Sequence, residues 1–146
     1  MEEKNNNQQE LKSIDKVFAH EFKPKDIYLT TAAYIAEKGF EVGVTLFLNG
    51  IIVSGMLVSN KRYSTLIAGK VFMASNQEAG QAFLDVILNI GDRINEKDKE
   101  INEIEYLYLS DVEITTSNGN KLKTDSEMRV KLAEVNGFIF GKFDDR

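Results

Sequence analysis

A chain of 146 residues with 42% apolar and 28% charged side chains has the size and balance of one globular domain, which favours neither a disordered nor a membrane class. Its 18 basic and 23 acidic side chains leave a formal charge of −5, which argues against a dedicated nucleic-acid surface. Without cysteine the chain has no disulfide, thiolate metal site or thiol nucleophile.

Residues Met1 to Leu11 are polar and biased to Asn, Gln and Glu. They carry too little apolar surface to offset the entropy of ordering, so a disordered arm is expected over residues 1–11 and a single domain over 12–146. The terminus lacks the apolar core of a secretory signal, and no stretch approaches the ~18 apolar residues of a membrane span. A cytoplasmic protein with no membrane partner is therefore expected. Ile14, Val17 and Phe18 have helical spacing and predict a short helix within Ser13–Phe22, halted before Pro24. Asp26 then stands as an N-cap, and Leu29, Ala32, Ala33 and Ala36 share one helical face before Gly39 ends the helix.

Val42, Val44, Leu46 and Leu48 alternate with Glu41, Gly43, Thr45 and Phe47, the period of two of a half-buried strand. Asn49-Gly50 matches a type I′ hairpin turn, where both central residues need positive φ. On the return strand Ile51, Val53 and Leu57 share a face with Gly55, the expected point of a bend or bulge, while Ile52, Met56 and Val58 take the other. Two amphipathic helices are expected next. One carries Tyr63, Leu66, Ile67, Val71 and Ala74; the other carries Ala79, Phe83, Val86, Ile87, Ile90 and Ile94. Ser75 and Glu78 have the spacing of a capping box between them.

Mixed charges over Asp92–Glu105 read as a solvated connection. The period of two then returns, with Ile104, Tyr106, Tyr108, Val112 and Ile114 on one face and Leu107 and Leu109 on the other. Turn signals at Ser117–Asn120 and Asn136-Gly137 bracket a strand with Met128, Val130 and Leu132 facing one way and Arg129 and Lys131 the other. The last strand is expected over Phe138–Phe143. The pattern is α+β: an antiparallel, strongly bent sheet of about five strands or a small open barrel, with an N-terminal helix and a helical insertion between strands 2 and 3.

Chemistry-bearing residues are scarce. His20 is the only histidine, which rules out a His-based triad or a two-His metal site within one chain. No serine sits in G-x-S-x-G or S-x-x-K, and the glycines at 39, 43, 50, 55, 119, 137 and 141 form no phosphate-binding loop. Asp111 and Glu113 are expected on one strand face, and Asp144-Asp145 near the chain end, as solvated carboxylates. No catalytic residue, metal or cofactor is expected, and so no enzyme. Phe138, Phe140 and Phe143 beside Lys142, with Arg129 and Lys131 nearby, allow three uses: packing in the sheet, stacking of bases, or an exposed patch for a protein partner.

The block Val44-Thr-Leu-Phe-Leu-Asn-Gly-Ile-Ile-Val-Ser-Gly-Met-Leu-Val-Ser59, with Tyr63 soon after, resembles the strand pair of the bacterial gas vesicle accessory protein U family, GvpU. Tyr106-Leu-Tyr-Leu-Ser-Asp-Val112 and Arg129-Val-Lys-Leu-Ala-Glu-Val-Asn-Gly-Phe-Ile-Phe-Gly-Lys142 are similar to that family's carboxyl-terminal strands. The resemblance runs from Phe40 to Phe143. It implies a non-enzymatic accessory protein that helps assemble, organise or cluster gas vesicles by binding vesicle proteins and by self-association, with Arg129, Phe138 and Phe140 as partner-binding candidates. The same hairpin is similar to the first half of an Sm-like bent barrel, which implies an RNA-binding module as the alternative.

Overall fold

The computed structural model describes residues 25–94 and 98–142. The polar arm, the helix expected within Ser13–Phe22, His20, Phe143 and the Asp144-Asp145 pair lie outside the described residues.

Helix α1 (Ile27–Ala36) starts where Asp26 accepts the Leu29 amide on its carboxylate at 3.0 Å. It stops three residues before Gly39, whose φ of +100° suits a residue without a Cβ. Strands β1 (Val42–Leu48) and β2 (Ile51–Val58) follow as a hairpin closed by Asn49 and Gly50, both at positive φ as a type I′ turn requires. The chain then leaves the sheet for α2 (Asn60–Ala74) and α3 (Gln77–Ile94). It returns through a 3₁₀ turn (Ile101–Glu103) to β3 (Tyr106–Thr115), β4 (Lys121–Lys131), a second 3₁₀ turn (Leu132–Glu134) and β5 (Gly137–Phe140). The five strands form one open antiparallel sheet in the order β4-β3-β2-β1-β5. The fold is α+β.

One face of the sheet holds the core. Val44, Leu46, Val53, Leu57, Leu107, Leu109, Val112, Val130 and Leu132 pack there with Leu29, Ala33 and Ala36 of α1. These are the alternate positions that the period of two selects on β1, β2 and β4. On β3 the alternation breaks. Between Leu109 and Val112 the register shifts against β4, and Asp111 takes a φ of +52°. This extra residue moves Val112 and Ile114 to the core side with Leu107 and Leu109, instead of the Tyr106 and Tyr108 side. Ile104 is also buried in the core, so the connection expected to be solvated ends inside it.

The partner of the bulge is Gly55, where the β2–β3 register shifts between Ser54 and Met56. A Cβ at Gly55 would sit 2.9 Å from the Ser110 carbonyl oxygen. Only glycine lets the bulged strand come this close.

The opposite face is covered in part by α2. Tyr63 of α2 packs against Tyr108 with ring centroids 5.1 Å apart and planes tilted by 52°, and Lys70 reaches over to β4 to pair with Glu127 at 3.0 Å. α3 packs against α2, so the two form a helical hairpin standing on the sheet. The N-cap of α3 differs from the expected capping box. Asn76, directly before the helix, accepts the Ala79 amide at 2.9 Å. Ser75 still belongs to the end of α2 and donates its hydroxyl back to the Val71 carbonyl at 2.8 Å.

Candidate interaction surfaces

The carboxylates of β3 form no shared pocket. Asp111, exposed at the bulge, is ion-paired with Lys142 beyond β5. Glu113 lines a separate recess of about 100 Å³ with Thr45, Ser54 and Lys121. Among the described residues no group of three or more acidic or histidine side chains is placed to hold a metal ion. No described helix is long and apolar enough to cross a membrane.

The strongest polar constellation is a buried junction at the foot of the helical hairpin. Asn60, only 3% exposed, donates its amide to Glu37 Oε1 at 2.9 Å and its side-chain Nδ2 to the Gly91 carbonyl at 3.0 Å. Ser64 donates to Asn60 Oδ1 from the next turn. One asparagine thus joins the end of α1, the start of α2 and the last turns of α3. Its backbone amide, side-chain nitrogen and side-chain oxygen each have a partner within the protein, so the junction fixes the hairpin's angle, and it lies beside an open recess of about 570 Å³ lined by Glu37, Ser59, Asn60, Ser64, Gly91 and Asp92.

Two glycines bring α3 close to α2. A Cβ at Gly80 would meet the Phe72 carbonyl oxygen at 2.9 Å, and one at Gly91 would meet Ser64 Oγ at 2.5 Å. They are separated by about three helical turns and so mark one face of α3. The large apolar residues lie elsewhere on the helix: Phe83 is 52%, Val86 58% and Ile90 50% exposed. Met73, at the end of α2, is more exposed still.

A second apolar region lies between α1 and the β5 edge. Ile27, Tyr28, Ile35, Phe40 and Phe140 line an open groove of about 650 Å³. Phe138 and Phe140 meet edge to face at 5.2 Å, with Phe138 turned toward the core and Phe140 exposed in the groove.

Arg129 is remote from this groove. It sits on β4, at the other edge of the sheet, with its guanidinium 3.6 Å from the Tyr106 ring centroid and 5.8 Å from that of Tyr108. The three partner-binding candidates therefore do not converge, and no platform of aromatic and basic side chains forms from them. Tyr63 completes the Arg129 cluster. Burial pushes its hydroxyl pKa up, opposed by the Arg129 charge and reinforced by that of Glu127.

A family model described as "Gas vesicle protein GvpU-like" matches residues 26–143. The chain belongs to the GvpU-like family of gas vesicle proteins. The match begins at the α1 N-cap and ends just past β5, so it takes in the helical hairpin together with the sheet. No curated protein and no solved structure matches the chain.

Reading the sequence by spacing identified the apolar residues of α3 in this GvpU-like protein without showing that they face outward. The signal was present in Gly80 and Gly91, whose spacing marks the docked side of the helix and leaves the bulky stripe for the other.

Proposed function

We propose that this GvpU-like protein is a non-enzymatic, cytoplasmic accessory factor that assists the assembly or clustering of gas vesicles by binding vesicle protein and by associating with itself. Family membership over residues 26–143 carries the reading. The surface chemistry supports it, because the exposed groups that form extended patches are apolar, as in protein-binding surfaces. Phe138 and Phe140 at the β5 edge, and Arg129 at the β4 edge, then belong to two separate contact regions.

The test is flotation. Purified protein mixed with gas vesicles should rise with them and change their clustering, and Phe140→Ser should reduce the floating fraction. A protein that stays below the vesicles and leaves their suspension unchanged overturns the proposal. RNA binding, the alternative suggested by the bent hairpin, predicts salt-sensitive retention of RNA in a gel shift.

A further inference from the structure

Helix α1 is apolar on two sides. Leu29, Ala33 and Ala36 face the core, whereas Ile27, Thr31, Ala32 and Ile35 follow one another at helical spacing along the open groove, with Tyr28 beside them. Phe40, Val42 and Phe140 make the groove's other wall. Tyr28 is 72% and Phe40 69% exposed, so this apolar surface is open to a cover.

The chain supplies a matching one directly ahead of α1. Lys25, two positions before Ile27, is tied down: its ammonium donates to the Ile104 carbonyl at 3.0 Å and pairs with Glu105. Whatever precedes it therefore enters beside the groove. What precedes it is Ser13–Phe22, ten residues like α1 itself, in which Ile14, Val17, Phe18 and Phe22 recur at helical spacing. The connection Lys23–Asp26 has the length that joins two antiparallel helices, and its Pro24 stops the first of them.

The two stripes correspond residue by residue. In an antiparallel pair folded about Lys23–Asp26, Phe22 comes opposite Ile27, Phe18 opposite Thr31, Val17 opposite Ala32 and Ile14 opposite Ile35. Large side chains thus meet the small Thr31 and Ala32. Tyr28 comes opposite Glu21, a carboxylate to which its hydroxyl can donate. Lys16 and His20 fall on the far side of such a helix.

We propose that Ser13–Phe22 folds back along α1 of its own chain as an antiparallel helix and covers the groove with Ile14, Val17, Phe18 and Phe22. The segment lies ahead of the residues that the family model matches, so the cover is an addition to the family domain. Because Phe140 lines the same groove, the cover competes there with a vesicle protein. The proposal goes beyond the vesicle reading and does not rest on it.

A cysteine pair in the full, naturally cysteine-free chain tests it. Val17→Cys with Ala32→Cys, oxidised by glutathione disulfide, should close a bond within one chain, because the small residue at 32 lets the backbones approach. The yield should exceed that of Lys16→Cys with Ala32→Cys at least about fivefold, since tethering alone favours both pairs alike. Trypsin gives a second reading: cleavage after Lys16 should be at least about tenfold faster in Ile35→Asp than in wild type, because the charge opens the groove contact.

Equal yields from the two cysteine pairs overturn the proposal. So does a bond between chains, which would make the cover a second copy's segment. Equal cleavage of wild type and a folded Ile35→Asp overturns it as well, and if that variant does not fold the cysteine pairs decide. Flotation keeps the two proposals apart: a chain that closes the 17–32 bond but never rises with vesicles keeps the cover and loses the vesicle role. If the segment cross-links no better than its control and Ile35→Asp stops the protein rising with vesicles, the groove holds vesicle protein and the cover is wrong.

Discussion

Helices α1 and α3 are both rich in apolar residues, yet they are held in different ways. α1 lies on the sheet and sends Leu29, Ala33 and Ala36 into the same cluster as Val44, Leu46 and Leu57. α3 lies on another helix, approaches it through glycines, and keeps Phe83, Val86 and Ile90 half in water. The docked side of α1 carries the bulky Leu29 beside Ala33 and Ala36, whereas that of α3 is marked by Gly80 and Gly91, and Tyr28 on α1 and Phe83 on α3 point outward. The difference teaches that α1 is part of the core, whereas α3 is presented by it.

Truncation should expose that difference most strongly. Leu29→Ala removes a side chain with no solvent exposure and should cost about 2–5 kcal/mol in denaturant unfolding. Ile90→Ala removes a similar volume from the α3 stripe, half exposed already, and should cost under about 1 kcal/mol measured at a concentration where the protein is monomeric. Equal losses at the two positions would break the comparison, because α3 would then be a core helix.

The junction that holds the hairpin should come next. Asn60→Ala leaves the Gly91 carbonyl without its donor and Ser64 without its acceptor, at about 1–3 kcal/mol. Because Glu37 still receives the backbone amide of residue 60, the sheet and α1 should remain folded. Amide exchange should rise in α2 and α3 while the β1–β2 amides stay protected. Uniform acceleration over the whole chain would mean that the hairpin and the sheet unfold as one unit.

How much of this was legible in the sequence follows from how local each feature is. The Asn49-Gly50 turn, the Asp26 cap and the alternation of β1 and β2 depend on neighbouring residues, and all were readable. The β3 bulge was not, because it depends on Gly55 meeting Ser110 across two strands, and the cue at Gly55 does not say which partner residue is extra. The Ser75–Glu78 spacing suggested a cap, but Asn76 stands one residue nearer the helix and takes the amide. The Glu37–Asn60–Gly91 junction joins positions 23 and 31 residues apart. Local spacing has no access to such a contact. The two apolar regions were visible as composition, and only the placement of α3 on α2 turned one of them outward.

The smallest expected effect concerns the side of the hairpin that does touch the sheet. Tyr63 sits against Tyr108, with the charges of Arg129 and Glu127 acting on it in opposite senses, and burial raises its pKa above the ordinary value of 10. Above pH 10 the unfolded chain releases this proton more readily than the folded one, so the native state then holds more protons and stability falls as pH rises. The contribution is fully present below pH 10 and is lost as pH climbs through the raised value. Tyr63→Phe keeps the ring contact and removes the titration. It should therefore leave neutral-pH stability within about 1 kcal/mol of wild type and make the alkaline decline shallower. An alkaline decline identical in the two proteins would mean that Tyr63 ionises as freely in the fold as outside it, and that α2 does not seal this part of the sheet from water.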